Sequence, residues 1–483
     1  MLTEIQQEIE THLPGLGAWQ GQGLGIGVFG MIVNGLVQLS RLAEGLSEVG
    51  SYKTVLQRLK RWLKNDRLDW ERLSDEWIRW VWSAYGGRRA VRLVDETKLG
   101  ERFGVMLVSL AYGGRALPLI WRCYRANSAA DYPAQGQVLL IYGLLAHVVD
   151  CLPADSYPLV QMDRGLAHSS AMLRALSNLG VDYIVRVKSN ARFTSRTGVS
   201  QLLKHWMQRG RAVWLRGRLF DRDHACDGQM LLLWEDDHAD GWCLFTNLHA
   251  RFGRYYALRW WQEQSFRDLK SYGLQWTDTH LTCPTRLSRL LFPMAIAYAF
   301  CIAAGTRVCA LPIYLKKALA PLIDPTRLSL FRLGRYFLNA VLNEPFPLSS
   351  LSLSFPILAF FIPSLKLYPP QPSTREGESE REREQARVAA GLQVPPSLWR
   401  RNLGSGAERK TQHKRGLARV RGEQRRGSRG SRRALPDTYR RQSRAGCRRS
   451  RIARDPALRV GSRRPCPTFR GPLRHRVRVG CLR

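Results

Sequence analysis

The ten cysteines of this 483-residue chain are scattered from Cys123 to Cys481 without a CxxC pair, and its ten histidines form no cluster. That spacing offers no zinc knuckle and no disulfide framework, and it fits free thiols in a reducing cytoplasm. No charged-then-apolar leader opens the chain. The apolar stretches Leu24–Leu39, Leu291–Ala304 and Leu351–Leu365 fall short of the roughly 20 residues that a membrane span needs, so no membrane partner is expected. The first two are predicted to be buried helices; the third, interrupted by Pro356 and Pro363, is assigned to no element. The glycines of "GLGIGVFG" lack the preceding strand and the acidic partner of a dinucleotide site.

Acidic residues are also in short supply. Lys and Arg number 75 against 39 Asp and Glu, a net charge of +36, and the natural partner of such a surface is a polyanion. The excess is uneven: residues 371–483 hold 32 basic and 9 acidic residues, leaving 43 and 30 for the rest. Thirty of those 32 are Arg, set among Gly, Pro and Ser with three aromatics, a composition that builds no core. It reads as a nucleic-acid-binding arm or, the reading favoured here, as GC-rich DNA translated out of frame. The remainder is different, since 45% hydrophobic residues and 15 Trp across the chain are enough to fill a core.

Residues 1–88 read as helical. Ser51 is placed to cap a helix whose Val55, Leu59 and Trp62 recur at helical spacing, while Lys53, Lys60, Arg61 and Lys64 make it basic. It reads equally as a core helix with a solvated face and as a helix lying against DNA. Between 89 and 192 short β-rich runs alternate with helices: strands at Arg92–Asp95, Val105–Ala111 and Ala116–Tyr124, a helix at Gln137–Val149, a strand at Leu159–Met162, a helix at Ser169–Leu179 and a strand at Tyr183–Val187. This predicts an α/β (α+β) mixed sheet flanked by helices. Residues 193–250, with strand-like Ala212–Leu219, Met230–Trp234 and Trp242–Thr246, read as a β-rich insertion. Helix resumes at Tyr255–Lys270 and continues to about Ala304, within a segment 251–345; residues 346–483 are unrecognised.

Tyr256, Arg259, Glu263 and Lys270 follow one another at steps of three, four and seven, which on one continuous helix puts them on one face together with Phe266. Burial explains such a stripe poorly, because core stripes are apolar, but taken alone it reads equally as a salt-bridged surface with Arg259 and Glu263 at i, i+4. Asp95 closes the run "VRLV" and Asp163 closes "YPLVQM"; strand ends beside helices are where sheet proteins assemble sites, although either aspartate alone is more often a turn residue. Two aspartates and a glutamate are the hard oxygen donors that Mg²⁺ prefers. Two such ions roughly 3.5–4 Å apart serve phosphoryl transfer. His168 reads as a loop residue, and Arg186, Lys188 and Asn190 read equally as phosphate contacts or as a solvated strand end.

The blocks "LVDETKLG", "GGRALPLIW", "QMDRGLAHSSAMLRALSNLGVDYIVRVKSN" and "YYALRWWQEQSFRDLKSYGL" resemble those of DDE transposases of insertion-sequence family four, and "SLFRLGRYFLNA" resembles that family's closing helix. The resemblance implies an RNase H-like catalytic fold with a β insertion. It implies Asp95, Asp163 and Glu263 as the catalytic, metal-binding triad for Mg²⁺, with Mn²⁺ able to substitute, and Tyr256, Arg259 and Lys270 as contacts to transposon-end phosphates. It also implies double-stranded DNA, both element ends and target, as partner, a homodimer holding the two ends, and action on the bacterial nucleoid in the cytoplasm. Among the family's hairpin-forming members a tryptophan of the insertion holds a flipped base; Trp206, Trp214, Trp234 and Trp242 are the candidates, but each reads better as a core residue and none is assigned. Two rival expectations stand beside the transposase: a non-catalytic basic nucleic-acid-binding protein, such as a decayed transposase, and a nuclease that joins no strands.

Overall fold

The computed structural model describes residues 1–343 except 88, 127, 129–135, 221–224, 237, 250–251 and 312–327. The stretch Leu351–Leu365 and the Arg-rich tail lie outside the described residues.

Five helices open the chain: α1 (Leu2–His12), α2 (Ala18–Asn34), α3 (Leu39–Glu44), α4 (Tyr52–Lys64) and α5 (Trp70–Tyr85). The apolar run Leu24–Leu39, predicted as a single helix, is not one. α2 ends at Asn34 because Gly35 takes a left-handed conformation, φ +64°, that terminates helices and suits a residue without Cβ. The Ser51 hydroxyl caps α4 by accepting the Thr54 N–H at 3.4 Å. That helix buries Val55, Leu59, Trp62 and Leu63 and leaves Lys53, Lys60, Arg61 and Lys64 exposed, so a core face and a basic outer face coexist.

The sheet begins with β1 (Arg89–Leu99), β2 (Phe103–Tyr112) and β3 (Arg115–Arg125), an antiparallel meander. Gly113 and Gly114, both at positive φ, make the tight turn between β2 and β3. Pro118 donates no ladder bond; it sits beside a bulge on β3, an edge strand, where the loss is tolerated. After α6 (Gly136–Asp150), β4 (Tyr157–Met162) runs parallel to β1; after α7 (Ser170–Asn178), β5 (Asp182–Val187) runs parallel to β4. The order β3-β2-β1-β4-β5, with the first three strands antiparallel and the last two parallel, is the RNase H-like arrangement.

The predicted β insertion does not stand apart from this sheet. β6 (Arg192–Ser195), β7 (Ser200–Leu202), a short α8 (Leu203–Trp206), β8 (Arg211–Leu219), β9 (Cys226–Trp234) and β10 (Trp242–Thr246) continue it, with β10 antiparallel to β5, to give ten strands in all. β9 and β10 are covered on both faces: Cys243, Leu244 and Phe245 and Met230, Leu231 and Leu232 are all buried, whereas most residues of β6–β8 are exposed or half-buried.

α11 (Pro284–Ala310) is long and apolar enough to cross a membrane by length alone, yet 94% of its most apolar window is buried in this fold. It packs against α2, α4, β3 and α12 (Leu330–Asn343). Three indole N–H groups tie these layers together through backbone carbonyls: Trp62 donates to Arg289 at 3.0 Å, Trp121 to Ser288 at 3.1 Å, and Trp77 to Pro118 at 3.0 Å. α12 crosses α11 glycine against glycine. A Cβ on Gly334 would overlap the Cys301 carbonyl oxygen, and one on Gly305 would overlap that of Leu330.

Candidate active site

Val94 of β1 pairs with Met162 of β4, so the next residues, Asp95 still within β1 and Asp163 just past the end of β4, lie side by side. Neighbouring strands are about 4.8 Å apart, which fixes the two carboxylates as neighbours. The predicted strand end is correct for Asp163 and wrong for Asp95. β1 runs four residues further because Glu96–Leu99 keep pairing with Met106–Phe103 of β2. Asp163, by contrast, turns at once into a loop, where its Oδ1 accepts the N–H groups of Gly165 at 2.9 Å and Leu166 at 3.1 Å.

The segment predicted as one uninterrupted helix over Tyr255–Lys270 is helical but uneven. It comprises α9 (Gly253–Tyr256), a 3₁₀ turn (Ala257–Arg259), α10 (Trp260–Arg267) and a π turn (Asp268–Tyr272). The cause lies in its several attachments to the sheet. Gln161 of β4 donates to the Tyr255 carbonyl at 2.7 Å, Ser265 Oγ accepts the Ala116 N–H at 2.7 Å, and Arg115 binds Asp268 at 2.6 Å. Tyr298 of α11 donates to Ser265 Oγ at 3.0 Å and to Asp268 at 3.3 Å. A 3.6-residue period does not meet all these points, and the pitch tightens and then widens to reach them.

The four stripe residues consequently meet different surroundings. Tyr256 is buried, its hydroxyl donating to the Met162 carbonyl at 3.4 Å. Arg259 Nη1 donates to Asp95 Oδ2 at 2.9 Å, and its Nη2 lies 3.6 Å from Glu263 Oε1. Arg259 thus gathers two of the three acids. Lys270 lies at the far end, its ammonium 5.7 Å from the centre of the Phe266 ring.

Asp95 is only 8% exposed, and burial pushes its carboxyl up to about 6; Arg259 opposes that rise, while the negative charges of Asp163 and Glu263 add to it. Burial depresses the Arg259 guanidinium, but Asp95, Tyr256, Asp163 and Glu263 outweigh it and raise it overall. Burial lowers the Lys270 ammonium against the pull of Glu263 and Asp95. Tyr256 is pushed up to about 12 by burial despite Arg259 and Arg186.

The Asp95 shift carries a stability prediction. A carboxyl whose folded pKa exceeds its unfolded value stabilises fully below the unfolded value, near 4, and that contribution is lost as pH rises through about 6. Asp95→Asn, which mimics the neutral form, is expected to raise the melting temperature in EDTA by a few degrees at pH 7.5, corresponding to about 2 kcal/mol, and to leave it unchanged at pH 4. Melting curves at the two pH values check this; equal shifts at both would show that the acid's ionisation is not the cause.

Two clefts flank the acids. One, of about 200 Å³, is lined by Glu96, Thr97, Glu263, Phe266, Arg267 and Lys270. The other, of about 150 Å³, lies beyond Asp163 and is lined by Arg164, Arg186, Ser189, Lys204, Trp234 and Asp240, among others. Arg186 belongs to β5, and its guanidinium lies 5.8 Å from the Trp242 ring centre. Lys188 and Asn190, beyond β5, are exposed. Sequence reading missed Arg164, whose only signal was adjacency to Asp163, and Lys204, which the added strands bring in from far along the chain. Trp242 is edge-on to Tyr256 at 5.5 Å, Trp214 is 39% exposed and edge-on to Phe252 at 5.2 Å, and Trp206 packs on the core. Of the four candidate tryptophans, Trp234 alone lines this basic cleft. His168 Nδ1 is paired with the Gly165 carbonyl at 2.9 Å, as befits a loop residue.

The donor set suits divalent cations: three carboxylates converge on one end of the sheet with a guanidinium as counter-charge. Among the described residues, the potential ligand triplet whose atoms all fall within 4.8 Å of one another is a different one, so the oxygens of Asp95, Asp163 and Glu263 are more widely set.

The RNase H-like sheet thus sets Asp95 of β1 beside Asp163, just past β4, with Glu263 facing them from a later helix. Residues 97–300 match the family model of the transposase DDE domain, a span that includes Asp163 and Glu263 and begins two residues after Asp95. Over that span, about two fifths of its length, the chain is similar to a transposase DDE domain. No curated protein matches the chain.

Proposed function

We propose that the protein is an insertion-sequence transposase, of the kind placed in family four, that cuts DNA at the ends of its own element and joins the freed strands to target DNA. The observation that carries this reading is the meeting of Asp95, Asp163 and Glu263 around Arg259, the last three inside and the first just before the stretch that matches the transposase DDE domain. Mg²⁺, or Mn²⁺ in its place, would be held by these three residues; when bound, the ions supply charge stabilisation to the attacking and leaving oxygens of phosphoryl transfer.

The chain's own groups orient the DNA. Asp95 and Asp163 are fixed by neighbouring strands, so their separation is set by the sheet rather than by flexible loops. Arg259 balances the acids while they are unliganded, and Lys270, in the cleft beside Glu263, faces the path of a phosphate. Tyr256 fixes the start of the helix by its bond to the Met162 carbonyl, and through it the position of Arg259. Arg164, Arg186 and Lys204 continue the positive track on the other side of Asp163. Two ends joined to one target require a homodimer in the DNA complex, acting on the bacterial nucleoid.

The test is incubation of purified protein with Mg²⁺, labelled element-end duplex and plasmid target. Nicked ends followed by joined products support the reading; binding without cleavage would identify a basic nucleic-acid-binding protein instead, and cleavage without joined products a nuclease. For the DNA track, Arg186→Ala combined with Lys204→Ala is expected to weaken end binding and to reduce the log–log salt slope by roughly two units, about one per phosphate contact. Equilibrium binding from low to moderate salt measures this. An unchanged slope would take both residues off the DNA path.

A further inference from the structure

The cysteines and histidines form no metal motif in the sequence, yet the fold assembles one. Asp75, on α5, receives His147 Nε2 at 2.7 Å and Cys151 Sγ at 3.3 Å on the same Oδ1. His147 and Cys151 stand four apart at the end of α6, and the Cys151 N–H still donates to the His147 carbonyl at 3.3 Å, so the helical turn carries both onto one face. Their three potential ligand atoms lie within 4.8 Å of one another. Arg79 takes the other carboxylate oxygen of Asp75 at 3.3 Å. That leaves Oδ1 directed at the imidazole and the thiol.

We propose that Asp75, His147 and Cys151 form a second metal site, separate from the acid triad, that takes a zinc-class divalent cation and clamps α5 of the N-terminal helical layer to α6 of the sheet layer. One carboxylate oxygen, one imidazole nitrogen and one sulfur form a donor set that suits Zn²⁺ and poorly suits Mg²⁺. With bond lengths of about 2.0–2.3 Å, a tetrahedral site has edges of about 3.3–3.7 Å. The Sγ to Oδ1 distance of 3.3 Å already meets this, and His147 needs to withdraw from Asp75 by roughly half an ångström. Solvent completes the fourth position, since Asp75 and His147 are partly exposed. Without metal, burial and the Asp75 charge push the Cys151 thiol up to about 12; a coordinated cation reverses that and releases its proton. Arg79 then holds the far oxygen of the ligating carboxylate, an outer contact that orients it.

The test uses the full chain, stripped with chelator and titrated with Co²⁺ as a spectroscopic stand-in for Zn²⁺. A thiolate-to-cobalt charge-transfer band is expected with one equivalent, displaced by Zn²⁺ and lost in Cys151→Ser and His147→Gln. It should persist in the Asp163→Asn, Glu263→Gln double variant, whose triad offers no sulfur. Zn²⁺ should also raise the melting temperature of the wild type and not of Cys151→Ser, while both melt alike in EDTA, showing that the variant folds. Absence of the band, or its survival in either the Cys151 or the His147 variant, overturns the proposal.

Discussion

Asp163→Asn and Glu263→Gln are each expected to lower strand cleavage by about 10³-fold or more while leaving DNA affinity nearly unchanged. Loss of one hard oxygen donor from a phosphoryl-transfer site removes several kcal/mol of transition-state stabilisation, and each 1.36 kcal/mol is about tenfold in rate. Neither change should disturb the fold. Asn at 163 retains the oxygen that accepts the Gly165 and Leu166 N–H groups, and the Glu263 side chain is 43% exposed and touches Arg259 only at 3.6 Å. Gel assays with labelled end DNA and Mg²⁺, read beside binding by the same samples, decide the matter. Substantial cleavage by either variant would remove that residue from the triad.

Gly334→Ala is expected to destabilise the protein by about 2–4 kcal/mol, because a methyl group there has no rotamer to relax into and must push whole helices apart. The collision is with the backbone of Cys301, not with a flexible side chain, and Gly305→Ala meets the Leu330 carbonyl in the same way. Gly23→Ala supplies the contrast. It lies inside α2 at no special φ, and a Cβ there meets nothing within 4 Å, so the change should stabilise by about 0.5–1 kcal/mol through helix propensity. Denaturant unfolding of the three variants tests the pair of signs. Equal effects at 23 and 334 would mean that α12 does not dock on α11 through these glycines.

The strands up to β5 were legible as apolar runs closed by turn signals, and Gly113-Gly114 fixed one hairpin outright. Asp163 and Glu263 could be placed from spacing and the strand end. Asp95 could not be placed within its strand, because β1 continues through Glu96–Leu99 only by pairing with β2, and that pairing is tertiary information. The helix face of Tyr256, Arg259, Glu263 and Lys270 was read at an ideal period, whereas Ser265, Asp268 and Gln161 bend it to the sheet. Residues such as Arg115, which holds Asp268 at 2.6 Å across 153 positions, carry no local sign of their role. The Asp75, His147 and Cys151 cluster was invisible for the same reason: two helices supply it, and only one of them contributes a regular spacing.

β10 pairs with Ile184–Val187 of β5, of which Ile184, Val185 and Val187 are buried. A shortened chain lacking residues 188–246 would retain all three acids but leave β5 as an open, apolar border with unpaired amide and carbonyl groups. Such a border is a template for recruiting another polypeptide. The strands added between the second and third acid therefore also protect solubility, so that trimming them would be felt first as clumping during expression, before any question of catalysis arises.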